Sequence, residues 1–145
     1  MRLAAALLLA LIVSGCATGG GGRPLAPAAA SDQLRVAKQR YEQKDYTEAV
    51  ELLKGYIQFQ SGASDLDEAH FLLGMCYVKR QEWPLAATEF SILSTDFQDS
   101  ARLADAQYWL GVSYWKQSKS APYDQDMTRR AIAQFDRFLS MFPDH

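Results

Sequence analysis

Two cysteines, two histidines, a few clustered carboxylates and a run of glycines are the residues of this 145-residue chain whose types could do chemistry. Most of them lack the companions that chemistry needs. His70 and His145 have no partners at metal-ligand spacing, and His70 reads as a helix-surface residue. Cys76 lies inside the apolar stretch LLGMCYV, where a thiol is most often buried and inert. Asp65, Asp67 and Glu68 stand where a helix should begin, and acidic groups there complement the helix dipole first. Asp96 and Asp99 flank a turn. Gly19 to Gly22 lack the preceding strand and the following Lys-Ser/Thr of a phosphate loop. No acid/base pair emerges, so the expectation is a non-catalytic chain without metal or cofactor.

Cys16 is the exception. It ends the segment LIVSGC, after an unbroken apolar run from Leu3 to Val13 and a single charge at Arg2. Eleven apolar residues are about half of what a membrane-spanning helix needs, so the run reads as the apolar region of a secretory signal peptide. A disulfide from Cys16 to Cys76 would tie a tail to a helix and constrain little. Val13-Ser14-Gly15-Cys16 instead resembles the bacterial lipobox, a branched apolar residue and two small ones before an obligatory cysteine. That resemblance implies a diacylglycerol on the Cys16 sulfur, cleavage after residue 15, and a further acyl chain on the new N-terminus. Residues 1–15 are then the signal peptide. Residues 16–30 are the lipidated cysteine and a flexible Gly/Ala/Pro linker, with a reach of roughly 20 Å. Ala17, rather than Asp, after the cysteine suggests the outer membrane, with the domain facing the periplasm.

The composition is that of an ordinary globular chain, 48% hydrophobic and 22% charged, with a net charge of −2. No basic run or stripe is present, which argues against nucleic acid as a ligand and against polybasic recognition of anionic lipid.

From Ser31 onward the chain resembles itself. Ala37, Gly74 and Gly111 are spaced 37 apart, and Ala49 and Ala86 each follow 12 residues after the first two. The third repeat has eight extra residues, so its alanine is Ala131. Leu53, Phe90 and Phe135 come four residues after these alanines. Antiparallel helices pack closely where a small residue faces a large one. The spacing therefore predicts helix pairs, with helices near 31–43, 46–60, 67–80, 83–97, 104–117 and 128–141. Thr128 is expected to cap the last of these, with Asp126 near its positive end. Phe138 and Leu139 are expected to be available to a following repeat. A solenoid usually closes with a polar helix, so either the chain continues or a partner covers that end.

Leu73-Gly74 with Tyr77, Leu110-Gly111 with Tyr114, and Ala131, Phe135 and Pro143 resemble the tetratricopeptide repeat. Lys44 and Gln81 stand where that family has a turn glycine, and Ser61 and Gln98 where it has a closing proline. The resemblance implies an all-α, tetratricopeptide-like solenoid over residues 31–145, with about three repeats near 30–66, 67–103 and 104–145. Residues 121–145, APYDQDMTRRAIAQFDRFLSMFPDH, together with the lipobox, resemble the N-terminal part of the BamD family of outer-membrane β-barrel assembly lipoproteins. There the implied partners are other subunits of the assembly machinery and unfolded outer-membrane proteins. Tetratricopeptide arrays hold peptides in a groove lined by the first helix of each repeat. Carried over, its positions are Leu34, Lys38 and Tyr41, then Phe71, Met75, Val78 and Lys79, then Tyr108, Val112, Trp115 and Lys116. Aromatic and flexible apolar groups beside lysines suit an extended peptide with apolar side chains and a carboxylate. Two other readings stay open: a periplasmic tetratricopeptide lipoprotein adaptor for cell-envelope or division complexes, and a wall-cleaving enzyme whose catalytic domain lies beyond residue 145.

Overall fold

The computed structural model describes residues 30–118 and 125–145. The apolar run, Cys16, the linker up to residue 29 and residues 119–124 lie outside the described residues. Six α-helices and no strands make up the described chain: α1 (Ala30–Glu42), α2 (Tyr46–Phe59), α3 (Leu66–Lys79), α4 (Trp83–Asp96), α5 (Leu103–Gln117) and α6 (Asp126–Met141). Each helix packs on its neighbours in sequence, and α1 also touches α3. The fold is thus an all-α stack of three helix pairs. Observed boundaries lie within two residues of the predicted ones. None of the described helices is long and apolar enough to cross a membrane.

The small-to-large pairing that the repeat implies is what closes each pair. A methyl group built on Gly74 would lie 2.7 Å from the Phe90 ring, and one on Gly111 would lie 2.7 Å from the Phe135 ring. Two helices can approach this closely only where one of them lacks a Cβ. Phe90 is completely buried, as are Ala37, Ala49, Leu53, Ala86 and Leu93 around the same axis.

The turns within the first two pairs are also the same turn. After α1, the Lys44 N–H donates to the Tyr41 carbonyl at 2.9 Å and the Asp45 N–H to the Arg40 carbonyl at 2.9 Å. After α3, Gln81 donates to Val78 at 3.0 Å and Glu82 to Tyr77 at 2.9 Å. Such a reversal needs one residue in the left-handed region. Lys44 takes φ 63° and Gln81 takes φ 60°, the only two non-glycine residues with positive φ among those described. Asp45 then caps α2, accepting from the Glu48 N–H at 3.2 Å, while Pro84 occupies the first turn of α4, where its missing N–H is harmless. Lys44→Gly and Gln81→Gly should each stabilise the fold by about 0.5–1 kcal/mol. That is the left-handed penalty on a side chain less the extra backbone entropy of glycine. Thermal melts should show a rise of roughly 2–5 °C per substitution; a fall would mean that the side chains hold the turns.

Between pairs, the acidic cluster at the start of α3 works as a clamp. Asp65 makes no capping bond with its side chain; it accepts from the Tyr56 hydroxyl on α2. Asp67 accepts from the Ser100 hydroxyl in the turn before α5. Glu68 lies 2.7 Å from Lys38 Nζ on α1 and 3.7 Å from Arg102 at the head of α5, so one carboxylate bridges all three repeats. Pairs this exposed contribute a few tenths of a kcal/mol each and serve chiefly to fix register.

Three expectations are corrected. His70 is not on a helix surface: it is 8% exposed, and its Nδ1 lies 2.8 Å from Glu89 Oε2 on α4. It falls three residues before Leu73 and seven before Tyr77, on the buried side of α3. Thr128 does not cap α6, which begins two residues earlier; there Asp126 pairs with Arg129 one turn on. Phe138 is not free for a following repeat, since it is buried against the rings of Tyr108, Phe142 and His145. Leu139, one residue and about 100° further round the helix, is exposed as expected.

Candidate functional site

The residues expected to line a groove divide into two groups. Leu34 and Val78 are buried, and Tyr41, Phe71 and Met75 are half-buried against the core. Tyr41 meets Tyr46 edge-on at 5.5 Å, and burial raises its phenolic pKa. Phe71 lies beneath the Arg102 guanidinium, 5.1 Å from its ring centroid, and 5.9 Å from Phe90. These side chains hold repeats together as well as facing outward. Val112 is half-buried, and Lys38 is engaged with Glu68. Tyr108, at 44% exposed, Trp115, at 48%, and Lys79 are the exposed members of the set.

Lys79 and Lys116 hold the same place in successive repeats, and the fold brings them to one crevice. Its lining is Val78, Lys79, Gln81, Trp83 and Lys116, around a volume of about 530 Å³. Lys116 Nζ sits 4.5 Å from the Trp115 ring centroid and 5.7 Å from that of Trp83, a cation held between two indoles. Such contacts contribute about 0.5–1 kcal/mol each at exposed sites and fix the direction of the amine. The crevice has an apolar wall and two ammonium groups at its edge, a combination that accepts an apolar side chain and a nearby carboxylate. Trp83 and Gln81 were not among the expected residues. The signal for them was the turn position shared by Tyr46 and Trp83, which brings an aromatic beside the end of the preceding helix.

Tyr108 belongs to a second crevice of about 330 Å³, shared with Asp105, Trp109, Phe138 and His145. A third, of about 380 Å³, separates the second helices of the last two pairs and is lined by Ala87, Ser91, Ile92, Tyr114, Met127 and Arg130 among others. Among the described residues no group of three or more His, Cys, Asp or Glu is placed to hold a metal ion.

The last helix pair decides what kind of surface this is. Residues 105–145 match the tetratricopeptide repeat family. The match covers α6 and nearly all of α5, and the second pair reproduces the Gly111–Phe135 contact at Gly74 and Phe90. No curated protein sequence matches the chain. Tetratricopeptide repeats are typically non-catalytic units that bind other proteins, and the tetratricopeptide-like packing of the stack suggests a protein-interaction scaffold.

Proposed function

We propose that the chain is a lipid-anchored scaffold of the bacterial outer membrane, facing the periplasm and resembling BamD. It binds unfolded outer-membrane proteins, or subunits of their assembly machinery, along the first helices of its repeats. The observation that supports this reading best is the convergence of Lys79, Lys116 and Trp83 on one crevice, beside the exposed Trp115. That is a place for an apolar side chain with a carboxylate close to it. Acylation at Cys16 would hold the scaffold next to the membrane, where a weak binder gains from raised local concentration without new contacts.

The test is titration of the chain with peptides from outer-membrane proteins, read by Trp fluorescence and calorimetry. Tyr108→Ala with Trp115→Ala should weaken binding about tenfold or more, since buried aromatics dominate such contacts. Lys79→Glu with Lys116→Glu should abolish any preference for peptides with a carboxylate. Unchanged affinity in both double variants would remove the groove from the reading. Mass spectrometry of the membrane fraction decides the anchor independently: an uncut, unmodified Cys16 would refute it.

A further inference from the structure

The two junctions between helix pairs carry different side chains at the same register. Between the first and second pairs, Glu51 and Lys54 on α2 lie 4.0 Å apart, and Arg80 at the end of α3 pairs with Glu82 at 2.8 Å. Lys54 lies beside the Tyr77 hydroxyl, and Tyr77 is 3% exposed. One repeat on, these four charged residues are Thr88, Ser91, Gln117 and Met127, none of them charged. Leu85 of α4 gives way to Arg130 at the same place on α6. Tyr114, in the place of Tyr77, is only half-buried. All six of these residues line the cleft of about 380 Å³ between α4 and α6, near the lower end of the range for small-ligand sites. A junction that balances its own charge is thus followed by one that is open and carries a cation.

We propose that this cleft binds an acidic sugar, a small polyhydroxylated carboxylate. The charge of the site calls for an anion. Arg129 pairs with Asp126, but among the described residues no carboxylate lies within ion-pair distance of Arg130. The Arg130 guanidinium instead lies over the Tyr114 ring, 6.0 Å from its centroid. A guanidinium resting on a ring by its flat face keeps its N–H edge for a carboxylate, which it can hold by two parallel hydrogen bonds.

The neutral wall calls for donors on the same ligand. Thr88 gives its hydroxyl proton to the Pro84 carbonyl at 3.1 Å, and Thr95 gives its own to acceptors in its turn, the Ser91 carbonyl at 3.1 Å among them. Gln117 Nε2 donates to the Ser113 carbonyl at 3.1 Å. What remains on both Thr oxygens and on the Gln117 amide oxygen is accepting capacity. A simple carboxylate or phosphate brings acceptors alone and leaves these unmet. A sugar acid brings several hydroxyl donors with its carboxylate, and its C–H faces suit Ile92 and the Thr methyls. An extended acidic peptide presents an N–H to one side only at every second residue, so it would meet fewer of them. The cleft lies on the second helices and shares no lining residue with the groove of the first helices, so the two readings can fail independently.

D-glucuronate serves as the probe, titrated into the chain and followed by saturation-transfer NMR, with D-glucose and acetate as controls. Saturable binding of glucuronate is expected, about tenfold or more tighter than that of glucose, because the charge-assisted pair with Arg130 is missing from the neutral sugar. Arg130→Gln, at an exposed position, should bring glucuronate down to the level of glucose. Thr88→Glu with Ser91→Lys puts the side chains of the first junction into the second. It should abolish binding of both sugars while circular dichroism and the melting temperature stay unchanged. Absence of saturable glucuronate binding overturns the proposal, as does binding that Arg130→Gln leaves unchanged. Acetate bound as tightly as glucuronate overturns it too, since the site would then hold an adventitious ion only. A glutamate-containing peptide that displaces glucuronate at lower concentration, and loses that ability in Arg130→Gln, would make the occupant a protein and likewise overturn it.

Discussion

Phe90→Ala should destabilise the fold by about 3–5 kcal/mol, a large share of the 5–15 kcal/mol that holds a typical domain together. The ring is completely buried and fills the hollow above Gly74, where there is nothing to collapse into the space it would leave. Gly74→Ala attacks the same contact from the other side. Its new methyl would meet the Phe90 ring at 2.7 Å. Overpacking of that kind costs about 1–3 kcal/mol, against which alanine returns about 1 kcal/mol of helix propensity. If the two residues form one contact, Gly74→Ala combined with Phe90→Leu should be more stable than the sum of the single losses. Urea denaturation with unchanged m-values measures this coupling; strict additivity would mean that the hollow is not shared. Phe135→Ala should be milder than Phe90→Ala, because Phe135 is only half-buried over Gly111.

Cys76 should resist thiol reagents in the folded chain by about three orders of magnitude. It is completely buried, and desolvation pushes its pKa up to about 12 from 9.0, with Arg80 opposing the shift. At pH 8 a thiol at 9.0 is about a tenth thiolate and one at about 12 roughly a ten-thousandth, and only the thiolate reacts. Labelling should therefore be slow until denaturant is added and immediate afterwards, with Cys16 replaced by serine so that one thiol is counted. Fast native labelling would contradict the packing of α3. The same shift sets a sign for alkaline stability. Because the folded pKa is the higher one, the contribution is whole below about pH 9. It is lost as pH rises towards 12, since the unfolded chain gives up its proton first. Tyr56, also pushed up to about 12 by burial and by its hydrogen bond to Asp65, acts in the same direction from about pH 10. The denaturation midpoint should fall above pH 9, and less steeply in Cys76→Ala.

The legible parts of this molecule were those carried by one helix or one turn. Gly74 and Gly111, spaced with Phe90 and Phe135, announced the contacts that the structure shows. Lys44 and Gln81 marked turns that proved to need a positive φ. The misread parts were those decided by a second or third neighbour. His70 reads as a surface residue from its own stretch, LDEAH, which carries two carboxylates just before it. The helix that buries it, α4, brings Glu89 from 19 positions away. Asp65, Asp67 and Glu68 do stand at the start of α3 as expected; what their spacing could not show is that they also hold Tyr56, Ser100, Lys38 and Arg102.

By itself the sequence determined the repeat, its register and its helix ends, because small residues, large residues and turn formers act over one or two turns of chain. Only the tertiary structure decided which faces remain open: that Phe138 is covered while Leu139 is not, and that Lys79 and Lys116 share a crevice with Trp83. Spacing states which side of a helix a residue is on. What stands opposite that side depends on how three pairs stack, and no local pattern contains it.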